Sequence, residues 1–196
     1  GFDTGPGNTL LDTWVRLHLN SQYDDAGSWG SSGHCHQPLL REMLKDPYLQ
    51  LAPPKSTGPE QFNLGWLDAI LSRLPTLNPR DVQATLISFT ASSIAQAIER
   101  EAGKCDRVIA CGGGVHNDEL MRQLREQLRG IPLDISTAQG IDPDQVEALA
   151  FAWLARQTLL GLPGNIPAVT GASGPKILGG IFPAAPGLKY SVKGGH

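Results

Sequence analysis

Cysteine is scarce in this chain. Its three, Cys35, Cys105 and Cys111, form an odd set without framework spacing, which excludes a disulfide-stapled scaffold and suits a reducing compartment. No apolar run approaches the roughly 20 residues needed to span a bilayer, and no charged-then-apolar leader opens the sequence; no membrane role is expected and the expected setting is cytoplasmic. Basic excess is also missing: the net charge is -3, so nothing marks a nucleic-acid surface. No solenoid-like repeat appears. What remains, 196 residues with 40% hydrophobic and 18% charged content, is enough for one substantial core.

The opening stretch, Gly1-Phe-Asp-Thr-Gly-Pro-Gly-Asn8, puts a carboxylate, Asp3, at the end of an extended run read as a strand, then a turn that Gly and Pro build cheaply. Asn8 stands at a helix N-cap position ahead of Leu10, Leu11, Trp14 and Val15. Strand, tight loop and helix would hold Asp3 on stiff backbone beside the free N–H groups of a helix start, a sensible place for a general base next to a phosphate. Taken alone, the same residues also make an ordinary turn with Asp capping local N–H groups.

Further along, the first helix is expected to end near residues 20–22, and residues 23–33 read as a loop. His34-Cys35-His36 has no partner pair at zinc spacing, so no metal site is expected. Helices are expected over 37–45, around 62–71, and over 80–102, the last a long central packing element with Asn78 as cap and Pro79 in the first turn. Between the first two, Lys55, Ser56 and Thr57 lie in a polar turn that can touch a phosphate or sugar hydroxyl, or only solvent.

Arg107 to Cys111 reads as a buried strand ended by Gly112-Gly113-Gly114, with Asn117 capping the next helix. That sequence lets a ligand lie against bare backbone at the carboxyl end of a strand. Residues 131–135 read as the next strand, giving a βαβ unit with the preceding one and so a parallel pair. Asp142-Pro143 opens a helix whose Val146, Leu149, Ala150, Trp153 and Leu154 are expected to pack, with Glu147 in its first turn near the strand ends. A Gly- and Pro-rich tail follows from Gly161, frayed at its end.

Together, Gly1 to Asn8 with Asp12 and Trp14, Pro54-Lys-Ser-Thr-Gly58, Asp81-Val-Gln-Ala-Thr-Leu86, Cys111-Gly-Gly-Gly114 with Asn117, and Glu147-Ala-Leu-Ala-Phe-Ala-Trp-Leu-Ala155 closely resemble the anhydro-N-acetylmuramic acid kinases. The resemblance implies an α/β fold of the sugar kinase, Hsp70 and actin type (ribonuclease H-like), with a mixed sheet and packed helices. Residues 1–185 would be its C-terminal lobe, residues 186–196 a flexible tail, and the N-terminal lobe, with the family's first phosphate loop, would be absent. It implies ATP and Mg²⁺ as cofactors, opening of 1,6-anhydro-N-acetylmuramic acid with phosphorylation of O6 in cell-wall recycling, Asp3 as base, Glu147, Gly5 and Asn8 toward the sugar, and Gly112, Gly113, Gly114 and Asn117 toward the nucleotide. One departure stands out: Pro59 occupies the place of the family's arginine before Glu60.

Two rivals remain. An isolated lobe can serve as a binding module or oligomer subunit, a homodimer being left open. Phe2-Asp-Thr-Gly5 also copies the aspartic-protease turn, but those enzymes pair two aspartates in an all-β fold, whereas Pro6 follows here and helical patterns dominate.

Overall fold

A computed structural model describes residues 1–182. The elements in chain order are α1 (Thr9–Leu19), α2 (Ser28–Ser31), α3 (Gln37–Met43), α4 (Leu64–Leu71), α5 (Pro79–Glu101), β1 (Val108–Ala110), α6 (Asp118–Gln127), β2 (Leu133–Ile135), α7 (Val146–Leu159) and α8 (Pro167–Thr170). The chain is thus mixed α/β, and the described residues hold a parallel pair in place of the expected mixed sheet, Val108 standing opposite Leu133 and Ala110 opposite Ile135.

The axis of the molecule is α5. Asn78 accepts the Arg80 N–H at 3.1 Å and Pro79 occupies the first turn, so both ends of the start are fixed locally. An unbroken run from Val82 to Ser93 is buried, because α1, α2, α3 and α6 all pack on it. Sequence periodicity suggests an apolar stripe, yet the buried set includes Gln83, Thr85, Ser88, Thr90, Ser92 and Ser93. Small hydroxyl residues let neighbouring helices approach closely, and most return their O–H to backbone: Thr85 donates to the Asp81 carbonyl, Ser88 to that of Ala84, Ser93 to that of Thr90. Gln83 is fully buried with neither amide atom paired among the described residues.

The core gathers Leu10, Leu11 and Trp14 of α1, Leu39 and Met43 of α3, and Leu67 of α4 around Leu86, Ile87 and Phe89 of α5. Trp14 anchors the first helix to the first turn of α5 by donating Nε1–H to the Pro79 carbonyl at 2.8 Å. Aromatic rings continue the core: Phe62 meets Tyr48, Trp66 and Phe89 edge-on, with centroids 5.7, 5.2 and 6.2 Å away.

Several expectations are corrected here. Residues 1–4 form no strand; a ladder needs a partner, and Asp3 finds a single backbone bond, its N–H to the Lys55 carbonyl at 3.4 Å. Residues 23–33 contain a 3-10 turn (Asp25–Gly27) and α2, held because both carboxylate oxygens of buried Asp24 accept N–H groups, from Trp29 and Gly30, at 2.8 Å. Strand β1 is not buried: Ile109 is 47% exposed. No residue of α7 is buried either, and Leu149, Phe151, Trp153 and Leu159 are each about half or more exposed. A helix apolar on most sides belongs inside a protein, and the described residues cover only one side of this one, where Leu154 meets the turn at Gly164 and Gln157 Nε2 donates to the Pro163 carbonyl at 3.2 Å. No helix among the described residues is long and apolar enough to cross a membrane. The expected tail, 186–196, and the last residues of the 1–185 unit lie outside the described residues.

Candidate active site

The turn bearing Asp3 rests directly on α5. A Cβ on Gly5 would come within 2.9 Å of Ser93 Oγ, so only glycine lets the backbone lie this close. Two residues on, Thr90 Oγ1 donates to the Gly7 carbonyl at 3.1 Å. Asn8 holds the N-cap position of α1, but its backbone there is helical and its side chain makes no capping bond. That amide is instead turned toward the glycine run, 3.4 Å from where a Gly114 Cβ would sit.

Asn8 thereby lines a cleft of about 520 Å³ together with Leu11, Asp12, Tyr23, Asp25, Gly113, His116, Asn117 and Asp144. Its floor is set by the end of β1. Gly112 has φ +77°, a left-handed conformation that favours glycine, and donates its N–H to the Pro143 carbonyl at 2.9 Å. Gly113 to His116 then form a 3-10 turn, and Asn117 caps α6 by accepting the Leu120 N–H at 2.9 Å. The opposite wall is the Asp24 turn, whose Gly27 abuts the Asn117 side chain. His116 and Asp144 pair at 2.9 Å across the rim; both are exposed, so the pair ties two loops without adding much stability.

Burial lifts the Asp12 carboxyl above its ordinary value, partly offset by Arg16 one turn on. A folded value above the unfolded one stabilises the protein while the group is protonated, and that contribution disappears as pH rises through the folded value. Asp12→Asn is therefore expected to raise the melting temperature at pH 7 but not under conditions acid enough to protonate Asp12, as thermal melts at the two pH values will show.

Asp3 itself is exposed and faces a separate, open hollow lined by Gly1, Phe2, Pro54, Lys55, Ser56, Val169 and Thr170. Its Oδ2 accepts the Ser56 hydroxyl at 2.8 Å and the Thr57 N–H at 3.0 Å, and its carbonyl accepts the Tyr48 hydroxyl at 2.7 Å. Burial, and secondarily the Asp3 charge, push the Tyr48 phenol above its ordinary value, which keeps it a donor. Lys55 borders the hollow with its ammonium already engaged: Nζ donates to the Tyr48 carbonyl at 3.0 Å and lies 4.6 Å from the centre of the Tyr48 ring. Burial, with help from Arg100, lowers its ammonium's ordinary value.

The structure therefore groups the sequence candidates in two places. Asn8, Gly113 and Asn117 share the cleft with Gly114 behind them; Asp3 sits in the second hollow; Gly5 packs between turn and α5. Glu147 is exposed at the start of α7, takes part in none of the described hydrogen bonds and lines neither hollow. Tyr23, Asp25, His116 and Asp144 were not legible as cleft residues, although His116 directly follows the glycine run. Pro59, in the place of the family arginine, offers only its carbonyl, to Asn63 Nδ2 at 2.9 Å.

Residues 1–184 match the family model described as anhydro-N-acetylmuramic acid kinase. The chain belongs to that family. Proteins named anhydro-N-acetylmuramic acid kinase from Cupriavidus pinatubonensis and Thiobacillus denitrificans are 50% and 51% identical to it, over 93% and 94% of this chain. One of the same name from Cupriavidus metallidurans is 48% identical over 93%. These alignments cover 49%, 50% and 49% of the relatives respectively, so the chain spans about half the length of the curated relatives it matches.

Proposed function

We propose that the chain is the C-terminal lobe of an ATP-dependent kinase that opens the ring of 1,6-anhydro-N-acetylmuramic acid with water and transfers the γ-phosphoryl group to O6, giving N-acetylmuramic acid 6-phosphate for reuse of cell-wall sugar. The supporting observation is the reach of a single turn. Asp3 and Asn8 lie five residues apart, no more than about 18 Å even if fully extended, and Asn8 already touches the space beside Gly114. A nucleotide seated against Gly112, Gly113, Gly114 and Asn117 can run its phosphates along this turn toward the hollow of Asp3, where Gly5 and, from α7, Glu147 would border the sugar.

In that arrangement Asp3 takes a proton from water as the water oxygen bonds to the anomeric carbon. The bond from that carbon to O6 breaks, O6 bonds to the γ-phosphorus, and the bond to the bridging oxygen breaks to release ADP. Mg²⁺ would neutralise phosphate charge. No three His, Cys, Asp or Glu side chains among the described residues converge on a metal position. The unburied α7 and the half-exposed β1 fit a surface made to be covered by the half of the family's length that this chain does not span. The use of ATP supports a cytoplasmic site of action.

Joining this chain to the remaining half of the Thiobacillus denitrificans relative provides the test. The hybrid is expected to consume ATP only with the anhydro sugar present and to release a ring-opened phosphosugar, read by mass spectrometry. A folded, ATP-binding hybrid that yields no such product would overturn the proposal.

A further inference from the structure

We propose that Ser56 is a positioning residue for Asp3: with the Thr57 N–H it occupies Oδ2, holding the carboxylate in one orientation and leaving Oδ1 as the oxygen that takes the proton. This rests on the reading of Asp3 as the base. An exposed aspartate ordinarily turns freely about its side-chain bonds, and a base that turns is aligned only part of the time. Here two donors, at 2.8 and 3.0 Å, fall on the same oxygen, and no hydrogen bond among the described residues falls on the other.

The segment bearing those donors is itself anchored. The Asp3 N–H donates to the Lys55 carbonyl, and the Asp3 carbonyl accepts from Tyr48. Lys55 Nζ donates to the Tyr48 carbonyl at 3.0 Å and lies within 3.5 Å of that of Leu49, where Arg100 of α5 also donates at 3.0 Å. Residues 48–49, 55–57 and 3 are thus one hydrogen-bonded frame pinned to the central helix. Lys55, which by sequence looks like a ligand for phosphate, serves that frame. Ser56 is exposed, so its replacement leaves the core untouched.

Two measurements test this, one of them independent of activity. In the 196-residue chain alone, the Thr57 amide proton followed by NMR is expected to exchange slowly with solvent, and to lose that protection in Asp3→Ala, which removes its acceptor. In the hybrid enzyme, Ser56→Ala is expected to lower kcat about tenfold, the worth of one hydrogen bond to a charged group, with KM for ATP and the melting temperature unchanged. Ser56→Thr, which restores the hydroxyl, should recover most of the loss. A Thr57 amide indifferent to Asp3, or an unaltered kcat in Ser56→Ala, overturns the proposal. If Asp3→Asn is inactive while Ser56→Ala is normal, the base reading stands and this one fails; if Asp3→Asn stays active, the base reading fails first.

Discussion

Asp3→Asn in the hybrid enzyme is expected to cut phosphosugar formation by about 10²- to 10⁴-fold, the usual worth of a positioned general base, while ATP binding stays near its original strength. The substitution is nearly isosteric, and the asparagine carbonyl can still accept from Ser56 and the Thr57 N–H, so the frame around residue 3 persists. What is lost is the ability to accept a proton. The cleft beside the glycine run, where we propose that the nucleotide binds, is lined by a different set of side chains, which is why a nucleotide titration by calorimetry should hardly change. A loss of turnover under about tenfold, or 1.4 kcal/mol, would remove Asp3 from the role of base.

The second large effect is on stability. Phe89 is fully buried at the middle of α5, stacked on Trp66 with centroids 5.7 Å apart and edge-on to Phe62 at 6.2 Å. Phe89→Ala is expected to cost about 3–5 kcal/mol, read as a lower denaturant midpoint with unchanged slope. Domains of this size are commonly stable by about 5–15 kcal/mol, so the variant would approach the edge of folding. Trp66 fluorescence offers a direct probe, since that ring would lose its stacking partner.

Elements governed by local chemistry were legible in the sequence. Asn78 and Asn117 announce their helices, and each does accept the N–H expected of a cap. The crossover between β1 and β2 follows from the strand, glycine run and helix pattern, and is parallel as expected. Features that depend on a distant partner were not legible. The opening residues have strand composition but no ladder, and the Asn8 side chain chose the glycine run over its own helix. The Leu, Phe and Trp of α7 predict burial, yet Leu149, Phe151, Trp153 and Leu159 stay exposed among the described residues. In the candidate site, Asp3 and the glycine run stand out by composition, whereas the Tyr48 hydroxyl on the Asp3 carbonyl joins residues 45 positions apart, and no local pattern encodes it.

The central place of α5 has a consequence in time. Helices α1 and α3, and the turn that carries Asp3, all close onto a segment synthesised after them. At translation rates of about 5–20 residues per second, the first seventy or so residues spend several seconds with their apolar faces open, until the helix they need has left the ribosome. These residues are therefore open to chaperones and proteases until α5 emerges, and slowing synthesis between α4 and α5 lengthens that window.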